Sequence, residues 1–158
     1  MNRLHPDFHL ERCGKGDDPH YDIYWKGNPV GQTNPLTTLR KPSTSQCFII
    51  ATGPSVAETD VSRLAGHTCF GVNGAIALAD DSGLEFQYQL VSDGSFVRDR
   101  LPLARRMIAS GAECLFSFAA LGMLCEQDPG LLASQRLYLL PEMNYRYQVP
   151  RLDAGDFR

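Results

Sequence analysis

Long hydrophobic runs, an excess of positive charge, paired cysteines and any histidine beyond residue 67 are all missing from this 158-residue chain. No stretch approaches the ~20 consecutive apolar residues of a membrane-spanning helix. The longest apolar runs, such as Cys47-Phe48-Ile49-Ile50-Ala51, have the length of a buried strand. Fifteen Lys and Arg against 18 Asp and Glu leave a formal charge of −3, which is no electrostatic footprint for nucleic acid or an anionic membrane. The cysteines at 13, 47, 69, 114 and 125 form no CxxC pair, which argues against a disulfide framework or a zinc knuckle. Cys47, Cys69 and Cys114 sit in apolar runs and are expected in the core as small hydrophobes. The opening MNRLHPDFHLERCGKGDD has no apolar h-region. No signal peptide is expected, and the location implied is cytoplasmic, with peripheral contact at the inner membrane left open.

The histidine deficit excludes a readable Ser-His-Asp or Cys-His set. His5, His9 and Cys13 stand at i, i+4 and i+8, a spacing that aligns on a helix and suits zinc. A fourth ligand is not evident and Pro6 allows only a helix start, so exposed N-terminal polar residues are the preferred reading and no metal is expected. What remains is globular. With 43% hydrophobic and 21% charged residues, disorder and fibrous repeats are excluded, and the length suits one domain with a real core.

Two textures divide the chain. Residues 1–45 are rich in Pro, Gly, Asn and Asp, with little apolar periodicity, and are expected to form an irregular extension. Within it Tyr21–Val30 predicts a strand entering a Lys26-Gly27-Asn28-Pro29 turn, a candidate hairpin. Trp25, with Tyr21 and Tyr24, offers a sugar-stacking surface, although packing is the commoner use of such rings. From residue 46 onward, short apolar runs alternate with amphipathic stretches. Strands are predicted at 46–52, 68–72, 86–92, 112–118 and 136–140, the last stopped by Pro141. Helices are predicted over 95–110, with Pro102 marking a start inside the segment, and over 119–126 and 131–133. The alternation predicts a Rossmann-like parallel α/β sheet of about five strands with helices on both faces, occupying 46–158.

In such sheets ligands bind at the carboxyl ends of the strands. The first strand runs into Thr52-Gly53-Pro54-Ser55, the second into Asn73-Gly74 and the third into Ser92-Asp93-Gly94-Ser95. Each end offers small residues that admit a ligand to the backbone, with polar groups to bond it. A glycine after a buried strand, with a proline to open a helix, suits a phosphate at the helix N-terminus. GxGxxG and Walker patterns are absent, which argues against an ordinary NAD domain or a P-loop NTPase. Asp93 either bonds ligand hydroxyls, acts as a base if desolvated, or caps the following helix. Asp80-Asp81 is expected to be a solvated loop pair, and no Asp-x-Asp stands between strands as a divalent-metal clamp.

Segment 47–78, CFIIATGPSVAETDVSRLAGHTCFGVNGAIAL, followed by YQLVSDGSF, resembles the first half of bacterial CMP-sugar-dependent glycosyltransferases. These are the sialyltransferases and the related Kdo (deoxy-octulosonic acid) transferases of lipopolysaccharide core assembly. The resemblance covers roughly residues 46–140 and implies a metal-independent transferase that takes a CMP-sugar as donor substrate and a glycan acceptor, without a cofactor. It places Thr52, Gly53, Pro54 and Ser55 beside the donor phosphate region, and Asn73 with Gly74 at the nucleotide sugar. Ser92 falls near a third polar contact. Thr52 departs from the family, which carries asparagine there. The family's catalytic histidine lies beyond the fifth strand in a considerably longer chain. The expectation is therefore the donor-binding half of a transferase, with activity if the catalytic half is present or supplied in trans, or with Asp93 as base. Two alternatives stand beside it: a non-catalytic nucleotide-binding remnant or assembly module, and a diphosphokinase-like transferase, since such enzymes share a similar Gly-Pro-Ser opening. A homo-oligomer is left open.

Overall fold

A computed structural model of the chain describes residues 5–42, 44–134 and 136–140. The part of the expected 46–158 domain beyond residue 140, including Pro141, lies outside these residues. Two sheets are present. The first is antiparallel, built from β1 (Phe8–Cys13), β2 (His20–Trp25) and β3 (Asn28–Gln32) in that order. The expected hairpin joins β2 to β3. Lys26 and Gly27 both take positive φ, 51° and 74°, the two-residue turn whose twist matches the strands it connects. The irregular extension expected over residues 1–45 is corrected between Phe8 and Gln32, where this three-stranded sheet forms. Phe8 and Leu10 alternate with polar residues along β1, a weak period-2 signal in a short segment. His9 and Cys13 accordingly lie on a strand, so the helical alignment with His5 does not form.

The second sheet is fully parallel: β4 (Cys47–Ile50), β5 (Thr68–Val72), β6 (Tyr88–Val91), β7 (Glu113–Phe116) and β8 (Leu137–Leu139). Each expected strand is found, trimmed at its ends. Between them run α1 (Ala79–Ser82), α2 (Gly94–Asp99), α3 (Leu101–Ala109) and α4 (Phe118–Gln127), with 3-10 turns at 54–58, 61–64, 73–78 and 129–133. Asp80 and Asp81 fall in α1 rather than in a loop, and Asp80 pairs with Arg106 of α3 at 2.5 Å. The chain is a Rossmann-like α/β protein with an added antiparallel sheet.

Strand order is monotonic, β4-β5-β6-β7-β8. Right-handed crossovers between sequential neighbours that always step the same way place every helix on one face. The register agrees. Phe48, Ile50, Cys69, Val91, Cys114, Phe116, Leu137 and Leu139 share one face, and all belong to the hydrophobic core with the helices. Cys47, Ile49, Phe70, Val72, Leu90 and Leu115 share the other, and none belongs to that core. In place of a second helical layer, the segment after β3 crosses this second face. Asn34 bridges to Tyr138 of β8, the Tyr88 hydroxyl donates to the Arg40 carbonyl, and Thr44 bonds Thr68 at 2.9 Å before β4 begins. Cys69 and Cys114 are buried as expected. Cys47 is exposed, because it points to the face that the helices leave uncovered.

The antiparallel sheet shares the main core rather than forming its own. Phe8 and Ile23 are buried within it, and β3 approaches the 129–133 turn so closely that a Cβ on Gly31 would stand 2.0 Å from the Leu132 carbonyl oxygen. Trp25 packs partly buried against the same core, with the His5 ring centroid 4.6 Å away and Lys26 Nζ 5.5 Å from its centroid. Part of the ring is therefore given to packing.

Candidate functional site

The carboxyl ends of β4, β5 and β6 open onto a cleft of about 800 Å³ lined by Thr52, Asn73, Gly74, Asp93, Ser95, Phe96, Asp99, Arg100 and Leu103. That size suits a small-molecule ligand. A monotonic sheet has no reversal in strand order, so the cleft is not the switch-point crevice of a doubly wound sheet. It arises because α2 and α3 break apart above the strand ends. Four of the residues singled out in the sequence meet here: Thr52, Asn73, Gly74 and Asp93. A Cβ on Gly74 would lie 3.2 Å from Thr52 Cγ2 and 3.7 Å from the Phe96 ring, which shows how closely the first two strand ends and α2 converge.

Gly53, Pro54, Ser55 and Ser92 are exposed and stand outside the lining. The Gly-Pro-Ser segment opens only a five-residue 3-10 turn, with Val56 N–H bonded to the Gly53 carbonyl at 3.0 Å. So short a turn has none of the aligned dipole of a long helix. Pro54 supplies the expected start, since its missing N–H costs nothing there.

Asn73 is the unusual residue. Its φ is +50°, a left-handed conformation that asparagine tolerates better than most side chains. Its Oδ1 is buried without a hydrogen-bond partner. Leaving such an atom unpaired costs about 1–3 kcal/mol, and a donor on a bound molecule would recover part of that.

Asp93 caps α2. Its Oδ1 accepts from the Ser95 N–H at 2.9 Å and its Oδ2 from the Ser95 hydroxyl at 2.6 Å. The Ser95 hydroxyl, and then its N–H, hold the Asp93 carboxyl below its ordinary range, with a smaller contribution from Arg98. The carboxylate is anionic at neutral pH and a weak proton acceptor, since effective bases have values near the working pH. Its remaining lone pairs can accept from ligand hydroxyls. Gly94 beside it is buried, and a Cβ there would stand 2.9 Å from the Ala119 carbonyl oxygen. α2 is thereby pressed against α4, which Ser117 caps by accepting from Ala120 N–H at 3.1 Å.

Asp99, Arg100, Phe96 and Leu103 were not singled out in the sequence. Pro102 was the available signal. A helix that starts at Leu101 must end its predecessor at Asp99, leaving Arg100 outside both. Phe96 and Leu103 give the cleft an apolar wall, and the polar groups supply direction. Among the described residues no group of three or more His, Cys, Asp or Glu is placed to hold a metal ion, and no helix is long and apolar enough to cross a membrane. Comparison of the chain with protein-family models, curated proteins and solved structures finds no match.

Proposed function

We propose that this cleft binds a sugar nucleotide of the CMP-sugar type, and that the chain is the donor-binding part of a glycosyltransferase acting on surface polysaccharide. The observation that carries the reading is the buried, unpaired Asn73 Oδ1 at the second strand end, the position where the resemblance puts a nucleotide-sugar contact. Thr52 and Asp93 flank it with a hydroxyl and a carboxylate suited to hydroxyl-rich ligands. Asp93 serves here as an acceptor from sugar or ribose hydroxyls. Its lowered carboxyl makes it a poor choice for the base that deprotonates a glycan acceptor.

Thermal shift and calorimetric titration against CMP, CDP, UDP, GTP and ATP test this. At a hundredfold excess over Kd, CMP should stabilise by about 2.7 kcal/mol, a rise in Tm of roughly 5–10 °C for a chain of this size. Gly74 has no positive φ to preserve, and a Cβ there would stand 3.2 Å from the Thr52 methyl, so Gly74→Ala narrows the space between Thr52 and Phe96 for a small shift of the Thr52 side chain. This variant should lose the CMP response and keep its own Tm. A response confined to GTP or ATP with Mg²⁺ would point instead to a diphosphokinase-like transferase. Silence toward every nucleotide would leave a non-catalytic assembly module.

A further inference from the structure

We propose that Arg100 is the anion-recognising residue of the cleft, taking the oxyanion of a polyhydroxylated ligand; this rests on the sugar-nucleotide reading above. Arg100 lines the cleft beside Asp99 and Ser95 and is exposed. Its charge acts on Asp99 only at a distance, and among the described residues its side chain makes no hydrogen bond or salt bridge. Its neighbours are all engaged. Arg98 grips Asp99 through two bonds of 2.8 and 3.2 Å, Arg105 holds Asp128 at 2.9 Å and Arg106 holds Asp80 at 2.5 Å. Arg100 is the one arginine of the α2–α3 segment left with an uncommitted fork of donors, the geometry that matches phosphate and carboxylate.

The backbone holds this residue in place. Arg100 N–H bonds the Phe96 carbonyl at 2.8 Å, and the Arg100 carbonyl accepts from Leu103 at 2.9 Å and Ala104 at 3.3 Å. Pro102 enforces the break, because it cannot donate the bond that would fuse α2 to α3. Arg98 bonds the Asp99 carboxylate directly, so among the lining residues Arg100 is the cation without a bonded carboxylate and Asp93 the carboxylate without a bonded arginine. A ligand that meets both carries an oxyanion for Arg100 and hydroxyls for Asp93. Two oxyanions fit that description, the phosphate of a nucleotide and the carboxylate of an acid sugar.

Three ligands separate them: CMP, cytidine and free 3-deoxy-octulosonate, each titrated into the wild type, Arg100→Gln and Arg100→Lys. Arg100 is exposed, so both variants should stay within about 0.5 kcal/mol of wild-type stability. Arg100→Gln should bind CMP about ten- to hundredfold more weakly with cytidine unchanged, if phosphate is the partner. Arg100→Lys should fall between, keeping charge but losing the fork. If the acid sugar weakens instead and CMP does not, the carboxylate is the partner and the assignment of Arg100 still stands. Equal affinities of Arg100→Gln and wild type for all three ligands overturn it while leaving the sugar-nucleotide reading intact. A wild type that binds none of them removes that reading and this proposal together.

Discussion

Asp93 shows at the scale of one residue how a helix cap fixes a carboxylate that also lines the cleft. Its carboxyl is held down by the Ser95 hydroxyl and N–H, so its folded value lies below the unfolded one. Such a group adds stability that is fully present above the unfolded carboxylate range, near 3.9, and that is lost as pH falls through the depressed folded value. Asp93→Asn keeps an N-cap but cannot titrate. Its Tm should follow the wild type at pH 7 and fall less steeply than the wild type below pH 4. Asp93→Ala removes the cap at every pH, at a cost of about 1 kcal/mol. Thermal unfolding of the three proteins from pH 7 to pH 3 reads both effects, and parallel acid limbs for Asp93→Asn and wild type would refute the assignment. Gln89 is a second residue with unspent polarity. It is fully buried with both amide atoms unpaired, and its Oε1 would stand 2.5 Å from a Cβ on Gly71. The glycine in β5 is therefore required by the glutamine in β6.

Elements formed largely where period and punctuation placed them. The five parallel strands were legible because each is a short apolar run. Four of them are closed within three residues by Gly, Pro, Asn or Asp, and β7 by Ser117, the cap of α4. The strand-end half of the candidate site followed from their ends. Strand order was not legible, since nothing local distinguishes a monotonic sheet from a reversing one, and with it went the side on which helices lie. Arg100 escaped notice for a related reason: its exposure depends on where two helices part, not on its neighbours in the chain. β1 was missed because FHLERC carries only two apolar alternations. Its importance lies in docking, which sequence does not display. β3 meets the 129–133 turn backbone to backbone at Gly31, and Phe8 of β1 lies against Gly122 of α4, where a Cβ would come within 3.0 Å of its ring. Gly31→Ala should therefore force the antiparallel sheet away from the turn. Overpacking of this kind costs typically about 1–3 kcal/mol, or roughly 2–12 °C in Tm for a chain of this size. Gly27→Ala, at the hairpin tip with open space around it but positive φ, is the control for backbone strain alone. If Gly31→Ala were no worse than Gly27→Ala in a thermal melt, the docking described for β3 would be wrong.

For the whole molecule the consequence is a sheet with two unlike faces. One is packed by helices. The other is crossed near the strand starts by the segment after β3, which is stitched down by Arg40. Its Nε donates to the buried Glu113 carboxylate at 2.5 Å and its Nη2 to the Gly111 carbonyl at 2.8 Å, while Arg136 approaches Glu113 at 3.7 Å. Nearer the strand ends that face is unevenly covered: Ile49 of β4 is 75% exposed, whereas Leu115 of β7 is buried. Ile49 and Ile50 are adjacent and chemically identical, yet the pleat sends them to opposite faces. Ile50 is 5% exposed and part of the core. Ile50→Thr should lose apolar packing and bury a hydroxyl, at about 2–4 kcal/mol, whereas Ile49→Thr should stay within about 0.5 kcal/mol of wild type. Urea unfolding of the two variants measures the difference. A doubly wound sheet with helices on both sides would make both substitutions costly, so near-equal losses would return a second covering layer to the sheet, while a gap of 2 kcal/mol or more holds the helices to one side.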